Sequence, residues 1–204
     1  MATDTESAAP GAGTNFGVPN EKMGMWAFLG SECLFFGAFI SVYVLYLGGT
    51  GDGPGPAIFD IPFTSVSTFV LLMSSLAMVM ALAAIQDGDM RRFRTWTLGT
   101  ALMGLTFLSG QVYEYTVFVE EGMGLTTSAF STAFFVLTSF HGVHVSIGVL
   151  MLGALWFMSF TGRIDTSQRS QTAVENIGLY WHFVDIIWIL IFTVVYLIPV
   201  DLLT

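Results

Sequence analysis

Five apolar runs, separated by short polar or glycine-rich breaks, organise the chain, at roughly residues 23–47, 63–85, 93–118, 126–160 and 177–200. About 20 apolar residues rising 1.5 Å each cross the ~30 Å of bilayer hydrocarbon, so every run is long enough for one crossing. The fourth exceeds one crossing and must tilt, project from the bilayer or begin as a short interfacial helix. Between the runs lie a Gly/Pro loop at Gly48–Asp60, a charged turn at Gln86–Arg92 and a tight acidic turn at Glu120–Leu125. Thr161–Asn176 is the longest polar connection. Short links join antiparallel neighbours most economically, so the predicted fold is all-α: a polytopic membrane protein with five transmembrane helices in an up-and-down bundle. Residues 1–20 are small and polar, without Lys or Arg. They predict a flexible tail rather than a targeting signal, ahead of a single domain over 21–204. There is no internal repeat, so an inverted-repeat transporter finds no support.

Composition narrows the class. Of 204 residues, 54% are hydrophobic and 10% charged, against about 25% charged in a soluble domain. A soluble enzyme could not cover its surface with so few polar groups. The net charge of −9 argues against nucleic acid or another polyanion as partner. The six cations are Lys22, Arg91, Arg92, Arg94, Arg163 and Arg169, and with five crossings all lie on one side of the membrane. Asp52, Asp60, Glu120, Glu121 and Asp201 fall on the other. The positive-inside rule then places the N-terminus in the cytoplasm.

Ionisable groups inside the spans are the first functional candidates, because a charge at the bilayer centre costs about 2.5–3.5 kcal/mol on insertion scales. Glu32 lies near the midplane of span one with no cation in that span. It reads either as a proton-handling or docking carboxyl, or as a side chain satisfied by Ser31 or a neighbouring helix. His141 and His144 share one face of span four. They could ligate a metal, or hydrogen-bond across a helix interface where Gly142 and Gly148 permit close approach. Three histidines and one cysteine are too few to complete a metal shell easily. His182 and Asp185 are three apart on span five, near its cytoplasmic end. They can contact each other or a neighbouring helix, as a structural pair or a point of proton entry. Trp181 suits a membrane-interface anchor, and Arg163 suits a lipid phosphate or an orienting charge. Gln111 and Glu114 share a face near the outer end of span three, with Glu114 reaching water or a polar partner. No nucleophile–base set, phosphate loop or haem-attachment CxxCH occurs. These residues fit a small transporter, a proton-channel component or an accessory subunit.

Three motifs in order say more. Met25–Phe36 reads MWAFLGSECLFF, Phe140–Val145 reads FHGVHV, and Tyr180–Trp188 reads YWHFVDIIW; Gln111–Tyr115 (QVYEY) precedes the acidic turn. The chain resembles subunit III of the haem–copper terminal oxidases, the cytochrome c oxidase subunit III family, over Glu21–Leu197. The resemblance implies a subunit with no haem or copper of its own. Those cofactors would reside in partner subunits I and II of a proton-pumping enzyme, in a bacterial plasma membrane. It implies a role in stability and proton uptake with bound phospholipid, Glu32 being the carboxyl of the SE-x-x-FF motif. Longer members carry two further helices that wall a lipid cleft; this chain is similar to the five-helix bacterial form. A quinol oxidase subunit III and a stand-alone proton-coupled transporter are the alternatives.

Overall fold

A computed structural model describes residues 20–198, and every structural statement below concerns them. The predicted tail, apart from Asn20, lies outside this range, as does Asp201. The described residues form five α-helices: α1 (Asn20–Leu45), α2 (Ile61–Gln86), α3 (Met90–Glu120), α4 (Ala129–Phe160) and α5 (Gln168–Phe192). A 3-10 turn at Pro56–Ile58 sits in the α1–α2 loop, and five residues of π-helix, Thr193–Leu197, extend α5.

Local chemistry sets the helix ends. The Asp60 carboxylate accepts from Phe63 N–H at the start of α2, and Asp89 accepts from Arg91 and Arg92 N–H at the start of α3. Ser128 and Ser131 cap α4 reciprocally. Gly88 and Gly122, with φ of +81° and +88°, take the left-handed turn that stops α2 and α3. Ser167 caps α5 through Ser170 N–H, so this helix starts nine residues before the apolar run. The expected long polar connection at Thr161–Asn176 is therefore shorter, and its second half is helical. Residues 168–176 lacked an apolar signal because they form the polar end of a helix, not a loop.

Four helices close a ring in the order α2–α3–α4–α5, with α2 packing back on α5. Helix α1 lies outside it, in the groove between α4 and α5, and does not pack extensively on α2. The long loop from Tyr46 to Asp60 allows this by carrying the chain over the end of the bundle. Its Gly49 carbonyl accepts from Phe130 N–H at the start of α4 (3.2 Å). Directions alternate as expected, but consecutive helices are not all neighbours. Lys22 meets Glu175 at one end, where Arg94 meets Ser159; Glu114 meets Thr64 towards the other. The cations thus gather at one end of the bundle.

Helices α1, α2, α4 and α5 with its extension are long and apolar enough to cross a membrane. Helix α3 is long enough at 31 residues, but Thr95, Thr97, Thr100, Thr106, Gln111 and Glu114 dilute its apolar character. Large apolar side chains face outward, including Leu34 (79% exposed), Leu45 (75%) and Leu150 (73%). Such an exterior suits lipid or partner helices rather than water.

Indoles and glycines hold the ring together. Trp181 is buried, with its ring lying where a Cβ on Gly104 of α3 or Gly148 of α4 would come within 2.6 or 2.7 Å. Small residues at a helix interface admit such close packing where the lipid supplies no hydrophobic driving force. The Trp181 indole N–H donates to Ser74 and that of Trp188 to Thr68, both at 2.9 Å, which ties α5 to α2. The expectation that Trp181 anchors at the lipid interface is corrected. The glycines opposite it open a slot inside the bundle, and the indole fills it.

Candidate functional site

Two clusters bring the sequence candidates together. The first joins α1 to α4. Glu32 lies twelve residues into α1, ~18 Å along it, and its Oε2 is 3.3 Å from His144 Nε2. Ser31, a suggested partner, instead donates to the Phe28 carbonyl (2.7 Å). The acid that had no cation in its own span thus finds an imidazole on another helix. The second ring nitrogen of His144, Nδ1, is 2.8 Å from the Phe140 carbonyl. A carbonyl only accepts, so Nδ1 carries a proton. Nε2 is thereby left facing the Glu32 carboxyl, a polar contact between α1 and α4. Phe36 meets the His144 ring edge-on at 5.0 Å, and Tyr180 stacks on it at 6.4 Å while its hydroxyl donates to the His144 carbonyl.

The second cluster joins α5 to α2. His182 and Asp185 do not bond each other; both converge on Ser75. His182 Nδ1 is 2.9 Å from Ser75 Oγ, and the same hydroxyl donates to Asp185 Oδ2. Asp185 is buried, and its Oδ1 has no hydrogen-bond partner among the described residues. Because α5 begins at Gln168, Asp185 lies seventeen residues in, ~25 Å along the helix and near mid-bundle.

The remaining candidates pack helices together. His141 is fully buried between Phe107 and Trp188, with Nε2 3.2 Å from the Val184 carbonyl, to which it donates. Gln111 Nε2 donates to the Thr138 carbonyl (2.8 Å) and the Tyr115 hydroxyl (3.0 Å), tying α3 to α4. Its amide fills the space that a side chain at Gly142 would need. Glu114 is buried and accepts from Thr64 of α2, so it does not reach water. Arg163 lines an open cavity of about 510 Å³ between the end of α4 and the start of α5, with Met158, Asp165 and Arg169.

Sequence reasoning missed several partners. Lys22 pairs with Glu175 at 2.5 Å. Arg94 donates to the Ser159 carbonyl (2.6 Å) and hydroxyl (3.0 Å) and lies over Phe160, closing the end of α4. The consecutive Ser74 and Ser75 in an apolar run were the available signal for the α2–α5 contacts. Outside the spans, Asp165 accepts from Ser167 N–H and from the Ser167 and Ser170 hydroxyls. These donors hold its carboxyl down at about 2, from 3.8.

Each of the three histidines is engaged with a carbonyl, carboxyl or hydroxyl of this chain. Among the described residues no three His, Cys, Asp or Glu side chains gather as a metal site. These residues do not fit a haem or copper ligand set.

Comparison with known proteins finds relatives along nearly the whole chain. The family model described as cytochrome c oxidase subunit III matches residues 3–200. Cytochrome c oxidase subunit 3 of Bacillus sp. strain PS3 is 34% identical over 97% of this chain and 95% of its own length. That of Thermostichus vulcanus is 38% identical over 86% of each chain. The cytochrome bo(3) ubiquinol oxidase subunit 3 of Pseudomonas aeruginosa is 34% identical over 87% of this chain and 85% of its own. Together with the motif-bearing helices that meet at Glu32 and His144, these matches show that the chain belongs to the cytochrome c oxidase subunit III family.

Proposed function

We propose that this chain is the non-redox subunit III of a proton-pumping cytochrome c oxidase in an aerobic respiratory chain. It packs on the catalytic subunit I beside subunit II, which hold the haem and copper, and supports their stability and proton uptake. It crosses a bacterial plasma membrane five times with its N-terminus in the cytoplasm. Two polar side chains within helix α3 face neighbouring helices: Gln111 reaches α4 and Glu114 reaches α2. Glu32 and Asp185 are its membrane-embedded carboxyls. Gln111, Glu114, His141, His144 and His182 serve helix packing. Arg163, at the mouth of its cavity, suits a phospholipid headgroup; Trp181, being buried, does not.

The observation that carries this reading is the Glu32–His144 pair. It lies where the two helices bearing the SE-x-x-FF and FHG-x-H motifs meet. It joins a carboxyl and an imidazole between two long apolar helices. A quinol oxidase subunit III is a second reading, favoured by quinol oxidase relatives with identities in the same range as the cytochrome c ones.

Gentle extraction of the chain with its companions tests the proposal. Haem absorption and a copper-bearing subunit II in the purified complex are expected. Haem without a copper-bearing subunit II points to the quinol form. A solitary, colourless polypeptide that catalyses proton flux alone overturns both readings.

A further inference from the structure

We infer that Ser75, His182 and Asp185 form a proton-loading relay that delivers a proton from the outer face of the α2–α5 pair to a buried carboxylate. The geometry permits two arrangements, because a serine hydroxyl has one proton to donate. In the first, Ser75 donates to ionised Asp185 Oδ2, so His182 Nδ1–H must donate to Ser75 Oγ, and His182 Nε2 carries no proton. In the second, Asp185 is an acid donating to Ser75, Ser75 donates to Nδ1, and Nε2 carries the proton.

Passage from the first state to the second balances. A water or acid group lying against this face gives one proton to Nε2. The Nδ1 proton moves to Ser75 Oγ as the Ser75 hydroxyl proton moves to Asp185 Oδ2. One proton is taken up, the imidazole is neutral before and after with its tautomer exchanged, and the carboxylate becomes an acid. No cation is left in the membrane interior, where a charge is costly.

Three further observations support this use of the cluster. His182 and Ser75 are only half-buried, while Asp185 is 3% exposed. The chain of groups therefore runs from surface to interior. The surface end lies on a face whose neighbouring turns expose Leu72, Val79, Ile186 and Ile189, an apolar surround that leaves the imidazole as its polar opening. Asp185 Oδ1 is buried without a partner, so the carboxylate is incompletely satisfied and gains from protonation.

Of the groups on the helices packed against α5, the buried Tyr43 hydroxyl of α1 has no hydrogen-bond partner among the described residues, and the histidines of α4 and Lys22 of α1 meet other groups. From α4, His141 reaches the Val184 carbonyl and His144 faces Glu32 of α1. Lys22 of α1 is bound to Glu175, toward the start of α5. Helix α2 brings Ser75 itself, with Ser74 and Thr68 given to the two indoles.

Infrared spectroscopy tests the relay on the full chain in native lipid, purified with whatever polypeptides accompany it. Loss of a carboxylic-acid band in Asp185→Asn assigns the group, and transfer into D2O then follows its exchange. Ser75→Ala and His182→Leu should each slow deuterium exchange at Asp185 roughly tenfold or more, while Ser75→Thr, which keeps the hydroxyl, stays near the native rate. If Ser75→Ala does not fold, His182→Leu and Ser75→Thr decide. Native exchange rates in the interrupted variants overturn the relay, as does the absence of any band removed by Asp185→Asn. The identity of the accompanying polypeptides bears on the oxidase reading separately, since the relay uses this chain's residues alone.

Discussion

Helix α1 and the ring of α2 to α5 are held by different forces. In the most apolar window of α1, 17% is buried inside the chain, against 50% for α5. Between α5 and its ring neighbours, the Trp181 indole fills a slot over Gly104 and Gly148, and the Trp181 and Trp188 indoles donate to hydroxyls of α2. Helix α1 is joined to α4 and α5 by two polar contacts, Lys22–Glu175 and Glu32–His144, and by aromatic pairs such as Phe28–Tyr180 and Tyr43–Phe130. In lipid, apolar area gives little drive for helices to associate, so packing and polar contacts decide. The ring is therefore the stable unit, and α1 is an attachment whose strength depends on a few named groups.

The largest effect should come from emptying the slot that organises the ring. Trp181→Ala removes a buried indole from against Gly104 and Gly148 and deletes its bond to Ser74. The cost should be about 3–5 kcal/mol, the range for aromatic-to-alanine changes in cores. Denaturant unfolding in detergent, followed by circular dichroism, measures it. A change below 1 kcal/mol would mean that the ring does not rest on this packing.

Loosening α1 should cost less. Glu32→Leu removes the link to His144, at about 0.6 kcal/mol and up to about 1.7 by the range for side-chain hydrogen bonds between membrane helices. Glu32→Gln should be nearly neutral. Glutamine keeps the size and polar end of Glu32, so it can face Nε2 of the imidazole that the Phe140 carbonyl holds in place. Assembly and initial oxygen reduction should survive in Glu32→Gln. Selective proteolysis of α1 distinguishes the two variants, and equal release of α1 from both would assign the pair no part in holding it. Lys22→Ala should have a smaller effect, about 0–1 kcal/mol, as for partly exposed ion pairs. Its effect should fade as salt rises, because the two side chains are 27% and 37% exposed.

This contrast also separates what the residues disclose in order from what only folding shows. The five helices, the alternation of their directions and the gathering of cations at one end were legible, because each depends on local hydropathy and on charges near helix ends. The pairings were not. A helix apolar all round gives no face from which to read its neighbour, so nothing in the run around Glu32 points to His144. Trp181 reads as an interfacial anchor by residue type, and only Gly104 and Gly148, on other helices, reveal its slot. His182 and Asp185 look like a pair by spacing, yet Ser75 takes both. The start of α5 was missed because hydropathy reports the span rather than the helix; Ser167 with Ser170 three positions on was the capping signal available.

The smallest effect tests the ring at its polar joint, away from α1. Asp165 accepts from Ser167 and Ser170 where α4 hands over to α5. Its carboxyl is held at about 2 in the folded chain against 3.8 unperturbed. A depressed acid contributes stability that is complete above its unfolded value and is lost as pH falls through its folded value. The first turn of α5 should therefore loosen between about pH 4 and pH 2, with faster amide exchange at Ser167 and Ser170. In Asp165→Asn the exchange should lose this pH dependence, since an amide oxygen accepts at every pH. Because Asp165 is fully exposed, the change should stay confined to that turn and leave the packing around Trp181 untouched. Exchange that spreads into α5 beyond Glu175 would mean that the capped turn and the ring unfold as one unit, and that the joint belongs to the core.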